Sequence, residues 1–326
     1  MKKVLIAILL LGLLPHASAD YIHWVDFRLS APVLRSALEL DMASQGGEQP
    51  LDWIDILALA AAWRGGTGVT VADTQRAAQV LRGDTPPERL PGMAGRYFSY
   101  YREAYGAALG GLVGHFAIRR TDPQTGEAEW IPAYGLKAFS PIAAGYPWSH
   151  YPDFGAQRSY GYARPHLGND ILGALGTPIC AVEGGTVEAL GWNRYGGWRI
   201  GIRSDDRKRY YYYAHLRKDT PYAEGLAVGQ RVQAGEVIGF MGRTGYSAQE
   251  NVNNIETVHL HFGLQLIFDE SQKEYDSEIW IDVYPIIELL ASHCSSVARD
   301  PQTGRWERLY PYCDLDAEPL RSAAAR

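Results

Sequence analysis

Cysteine is scarce in this chain, with three among 326 residues. Cys180 lies in the apolar run Pro178-Ile179-Cys180-Ala181-Val182. It reads as a small buried hydrophobe, and nothing beside it supports a catalytic thiol. In an oxidising compartment Cys294 and Cys313 could pair and staple the C-terminal tail. Basic excess is missing too: 31 Lys and Arg face 37 Asp and Glu, a net charge of -6 and a pI near 5.9. That excludes the electrostatic footprint of a nucleic-acid binder. Beyond the first twenty residues no apolar run is long enough to cross a bilayer, so no stable membrane insertion is expected. No internal repeat is visible. What remains, 46% hydrophobic and 21% charged residues, belongs to a globular and not a disordered chain.

The amino terminus has its own logic. Lys2 and Lys3 form a positive region, Val4 to Leu14 an apolar one, and Ala17-Ser18-Ala19 a small-residue cleavage site. Residues 1–19 are therefore expected to be a cleaved signal peptide, with export to the periplasm or the cell exterior. No cysteine follows the cleavage site to take a lipid anchor.

Two regimes follow, and together they predict an α+β chain. Apolar residues recur at helical spacing over Val33 to Met42, Leu51 to Trp63, Ala72 to Leu81 and Arg96 to Leu109. Pro32 stands just inside the first of these and Gly65-Gly66 just after the second. A small helical N-terminal domain is assigned to residues 20–112; it holds no cluster of reactive residue types. Residues 113–141 read as connecting strands around His115 to Ile118 and Trp130 to Tyr134. Residues 142–291 read as an antiparallel β-sheet-rich domain. Its short strands include Thr186 to Leu190, Trp198 to Ile202, Tyr210 to Ala214 and Val237 to Met241, punctuated by glycines. A final helix is expected over Ile281 to Ala291, then a C-terminal tail over 292–326.

Four of the nine histidines fall into three short motifs of the β-rich region. They are His166-Leu167-Gly168-Asn169-Asp170, Tyr213-Ala214-His215-Leu216 and His259-Leu260-His261-Phe262. On a strand, residues two apart face the same way, so His259 and His261 stand side by side while Leu260 and Phe262 turn into the core. A glycine turn can bring His166 and Asp170 to one point. Two histidines and a carboxylate with a fourth position open for water match a catalytic zinc site better than a structural one. A lone histidine in an apolar strand is usually a satisfied core residue, and each spacing alone is weak. The three motifs in one Gly-rich β-domain are a different matter.

With these residues in place, the sequence resembles the lysostaphin-type zinc peptidoglycan endopeptidases, whose catalytic β-domain carries the duplicated hybrid motif. The resemblance runs from about Gly161 to Leu266. It includes His166 to Ile171, Gly176-Thr177-Pro178, Gly185-Thr186-Val187, Tyr195-Gly196-Gly197 and Tyr213 to Leu216. Val228-Gly229-Gln230, Ala234-Gly235, Ile238-Gly239, Thr244-Gly245 and His259 to Phe262 complete it. The resemblance implies a zinc-dependent metallo-endopeptidase acting on bacterial peptidoglycan peptides, cross-links or stem peptides, with one Zn2+ per chain. It implies His166, Asp170 and His261 as metal ligands, and His259 as the general base on the attacking water. It implies His215 as a second active-site histidine that orients the water or stabilises the oxyanion. The chemistry agrees, because zinc lowers the pKa of bound water from about 15.7 to about 7 and polarises the scissile carbonyl.

Two departures bear on substrate choice. Tyr246 to Val258 is longer and more polar than the family's usual link, and no SH3-type wall-binding domain follows. A wall-peptide-binding module that does not cut, or one held self-inhibited, is the alternative. In the inhibited form a segment such as Trp130 to Tyr160 would enter the cleft, with His150 or Asp153 as a fourth ligand.

Overall fold

The computed structural model describes residues 21–273 and 277–317. The signal-peptide reading of residues 1–19 lies outside them. Four helices open the described chain: α1 Ala31–Ser44, α2 Trp53–Arg64, α3 Val71–Leu81 and α4 Met93–Leu109. Asp52 caps α2 by accepting the Ile54 amide, and Gly65 ends it in the left-handed conformation at φ 64°. Thr70 and Asp73 form a reciprocal capping box on α3. Apart from Asp55, every residue of α2 from Trp53 to Ala62 is buried, as expected of a helix that is apolar all round. Packing from several sides sustains it.

The connecting region forms a hairpin, β1 Val113–Thr121 with β2 Ala128–Leu136. Short strands follow: β3 Trp148–His150, β4 Gln157–Arg158, β5 Arg164–Pro165, β6 Asn169–Gly173 and β7 Pro178–Cys180. The longer β8 Gly185–Asn193, β9 Gly197–Ser204 and β10 Arg209–Ala214 come next, then β11 Arg231–Val232 and β12 Val237–Phe240. Last are β13 His259–Leu266, β14 Ile279–Trp280, helix α5 Tyr284–Leu290, the hairpin β15 Val297–Arg299 and β16 Trp306–Arg308, and β17 Tyr312–Asp314. The main sheet is antiparallel in the order β11-β8-β9-β10-β13-β6-β3, with β14 also on β13. The antiparallel β-rich architecture expected from the glycine-punctuated strands is what forms.

Two elements differ from the sequence pattern. The last helix is shorter than the expected 281–291, because Ile279 and Trp280 pair with β13 and Asp282 accepts the Tyr284 amide ahead of it. Within the stretch read as a tail, β17 returns to pair with β1, Cys313 opposite Ala117. The suggested Cys294–Cys313 bridge does not form: both residues, and Cys180, are thiols. Cys313 is held in the β17 ladder, whereas the Cys294 thiol turns to the Ala291 carbonyl.

Helices and sheet share one contiguous core, from Leu34, Leu57 and Phe98 to Ile200, Tyr211, Phe262 and Leu290. A buried ion network ties the two layers. The Arg209 side chain, 1% exposed, donates to Glu183 at 2.7 and 3.0 Å, to Asp206 at 2.9 Å, and to the Ala107 carbonyl in the last turn of α4 at 2.8 Å. A cation at that end of a helix meets unpaired carbonyls and the negative end of the dipole. Burial alone would lower the guanidinium pKa; Glu183 outweighs it and keeps Arg209 charged. Glu183→Ala leaves that charge buried with less compensation. We expect a loss of about 3–5 kcal/mol in urea unfolding, and a loss below about 1 kcal/mol would remove the network from the account.

Candidate active site

Pairing between β6 and β13 sets Asp170 opposite His261 and Leu172 opposite His259. Leu260 and Phe262 are buried in the core, so His259 and His261 share the opposite face. His166 enters from the β4–β5 side, its amide bonded to the Ala156 carbonyl. Its Nε2 lies 2.8 Å from His261 Nδ1 and 2.9 Å from Asp170 Oδ1, and His261 Nδ1 lies 3.1 Å from the same oxygen. Among the described residues, these three form the one cluster of metal-ligating side chains whose donor atoms converge on a single point.

Backbone carbonyls orient the rings. A carbonyl oxygen only accepts, so a ring nitrogen bonded to one carries the proton. His259 Nδ1 donates to the Thr257 carbonyl at 2.9 Å, which leaves its Nε2 facing Asp170 Oδ1 at 3.8 Å. His215 Nδ1 donates to the Thr244 carbonyl at 2.9 Å, and its ring lies 4.7 Å from that of His259. His215 sits at φ 61°, a left-handed bend at the end of β10 that turns the side chain towards the cluster. His166 Nδ1 bonds Asp153, through backbone oxygen and carboxylate, both at 3.1 Å. All five residues expected from the sequence, His166, Asp170, His215, His259 and His261, thus stand together.

Electrostatics divide the rings. Burial, reinforced by the neighbouring imidazoles, holds His215 well below the usual histidine range; burial also lowers His261, with Asp170 partly offsetting it. Both rings are neutral, with lone pairs available. Burial opposes charge on His166 too, but the Asp153 and Asp170 carboxylates raise it to about 9. Burial pushes the Asp170 pKa up, and its bonds to His166 and His261 pull it far below the usual carboxylate value.

No sequence pattern pointed to Arg158. Its Nη2 bridges Asp153 Oδ2 at 2.9 Å and Asp170 Oδ2 at 3.0 Å, so only Oδ1 of Asp170 is left for the cluster. Asp153 spends its carboxylate on Asn169, Arg158 and the outer side of His166, so it orients a ring instead of joining the cluster. His150 is held between Asn169 and Glu288 and stacks on Tyr284. Neither is aimed at the three donor atoms. Arg158 reaches the site through the β4–β5 hairpin, a placement that no local spacing announces.

A groove of about 710 Å³ opens over the cluster. Tyr195, Tyr246 and Arg164 line one part, and Tyr210, Tyr212, Arg199 and Trp280 another. The polar loop after Gly245 is tied down at its edge. Asn251 accepts from Trp198 Nε1 and donates to Asp219, and Tyr246 stacks on Tyr160 at 4.5 Å.

Known proteins are similar to this chain over the same region. Residues 164–276 match the model of Peptidase family M23. Over this stretch the chain is similar to the M23 peptidases. The L-Ala--D-Glu endopeptidase of Bacillus subtilis (strain 168) is 40% identical over 130 residues, which is 40% of this chain and 38% of that protein. Lysostaphin of Staphylococcus simulans is 37% identical over 98 residues, 30% of this chain and 17% of that protein. The solved catalytic domain of lysostaphin from Staphylococcus simulans aligns with 44% of this chain and 92% of its own, at 28% identity and a TM-score of 0.34. The chain therefore spans less than two fifths of the length of these curated relatives. No helix among the described residues is long and apolar enough to cross a membrane.

Gly168, between His166 and Asp170, allows a very close approach. A Cβ there would stand 2.6 Å from the Phe262 carbonyl oxygen and 2.7 Å from His261 Cε1. Gly168→Ala should cost about 1–3 kcal/mol in denaturant unfolding by overpacking. An unchanged midpoint would mean that His261 has room to move.

Proposed function

We propose that this chain is an exported zinc-dependent metallo-endopeptidase that hydrolyses peptide bonds in bacterial peptidoglycan. One observation carries the reading: three donor atoms of the right chemistry converge while the Nε2 atoms of two further imidazoles are left free by backbone bonds. The donor set fits zinc. Tetrahedral bonds of about 2.0–2.1 Å give ligand–ligand edges of roughly 3.3–3.4 Å, close to the separations between His166, Asp170 and His261. A dication among them would take the place of the proton that the Asp153 and Asp170 carboxylates favour on His166, and its binding should release that proton. Zinc held there would supply a Lewis acid for the scissile carbonyl and a water of lowered pKa.

The remaining steps belong to the chain's own side chains. Asp170 offers Oδ1 while Arg158 holds Oδ2, which makes it a one-oxygen ligand. Asp153 fixes the His166 ring from behind, as outer partners of metal-binding histidines do. His259, its Nδ1–H anchored on Thr257, presents Nε2 to take the proton of the attacking water and to pass it to the leaving amine. His215 is anchored in the same way and is kept neutral by burial, so its Nε2 accepts a hydrogen bond and orients that water. Of the two roles the resemblance allows for His215, the fixed tautomer favours this one.

The similarity to endopeptidases of wall peptides supports the substrate class, and the N-terminal sequence supports export. Purified protein should hold about one zinc per chain and release new amino termini from isolated peptidoglycan. Chelation should abolish the release and zinc should restore it. His259→Ala should keep the metal and lose about 10²–10⁴-fold in kcat. Asp153→Ala should weaken zinc binding by about 10- to 100-fold in chelator competition. A protein that holds zinc but frees no amino terminus from several wall types would be a binding module instead.

A further inference from the structure

The groove continues past the donor cluster along the face that β9 and β10 share with His261. Ile200 and Ile202 of β9 and Tyr211 and Tyr213 of β10 are buried in the core. By alternation, Arg199, Gly201, Tyr210 and Tyr212 face the groove. Ala214 pairs with His261, and Arg199 stands one step beyond the Ile200–Tyr213 pair, in that same cross-strand row. Two strand spacings put it about 10 Å from His261.

The other charges here are paired or hydrogen-bonded within the protein, Glu278 by accepting from Trp280 Nε1. Glu188 meets Arg203 at 3.3 Å and Lys273 at 3.0 Å, and Arg158 bridges Asp153 and Asp170. Arg164 donates to the Tyr160 carbonyl and lies over the Tyr195 ring. Like Arg164, Arg199 has no ion-pair partner among the described residues, but it alone of these side chains keeps a buried nitrogen, Nε, with no hydrogen-bond partner. Its guanidinium lies against the Tyr210 hydroxyl. Tyr210 can lie there because residue 201 is glycine; a Cβ would come within 1.9 Å of the Tyr210 oxygen. A guanidinium cannot shed its charge, and its planar fork matches a carboxylate. Half-buried beside phenols, it calls for an anion that the protein does not supply.

We propose that Arg199, with the Tyr210 hydroxyl, binds a carboxylate of the peptide substrate within about three residues of the scissile bond, at roughly 3.3 Å per extended residue. The enzyme therefore selects acidic peptides over neutral ones such as oligoglycine. This inference rests on the peptidase reading and deepens it.

The test uses the full zinc-loaded chain and two probes, L-Ala-γ-D-Glu-L-Lys and the same peptide with its glutamyl α-carboxylate amidated. Binding is measured by calorimetry and turnover by amine release, on wild type, Arg199→Gln and Arg199→Lys, after zinc content and melting temperature are matched. Wild type should bind the acid about 10- to 100-fold more tightly than the amide. Arg199→Gln should bring that ratio close to 1, and Arg199→Lys should keep part of it. A wild-type ratio near 1, or one unchanged in Arg199→Gln, overturns the proposal. If the ratio behaves as expected but neither peptide is cut, the assignment of Arg199 as a carboxylate site stands and hydrolysis of this peptide class falls alone.

Discussion

The register between β6 and β13 is the constraint on which the centre depends. Asp170 faces His261 across that ladder, and the same strand carries His259 two residues earlier. Side chains alternate with a period of two, so a slip of one residue would send both histidines into the core and Leu260 and Phe262 into the groove. The apolar face prevents it: Leu260, Phe262, Leu264 and Leu266 are all buried. Core packing and site geometry are thus one requirement, met by the same eight residues of β13.

Around that ladder, backbone groups do much of the orienting. Thr257, Thr244 and Asp153 each offer a carbonyl to a ring nitrogen, and each thereby decides which nitrogen of its histidine faces the cluster. The close approaches demand glycine where they occur. Gly168 lets the His166–Asp170 turn pass the His261 ring. Gly245, at φ 124°, leaves room for the Tyr195 carbonyl and His215 Nδ1. The helices contribute from a distance, since Arg209 and Glu183 fasten the last turn of α4 to the sheet that carries the site.

Much of this was legible in the sequence because it is local. Four helices follow from apolar spacing, with Pro32 just inside the first and Gly65-Gly66 just after the second, and the His-x-His pair follows from strand alternation. The convergence of His166, Asp170, His215, His259 and His261 was readable only because three motifs shared one β-domain. What stayed hidden depends on contacts far apart in the chain. Arg158 looks like an ordinary loop residue until the β4–β5 hairpin folds against β6, and Asp153, singled out as a possible fourth ligand, instead holds the His166 ring from its outer side. Arg199 reads as any polar strand residue until its buried Nε is seen to lack a partner. The tail strand β17 finds β1 across most of the chain, and no periodicity signals that pairing.

The central claim is that a metal ion sits among His166, Asp170 and His261, with His259 and His215 beside it. Anomalous diffraction at the zinc edge, from crystals of the zinc-loaded protein, tests it most directly. The account predicts one strong peak within bonding distance of His166 Nε2, Asp170 Oδ1 and His261 Nδ1. A peak elsewhere with none at this position would contradict it.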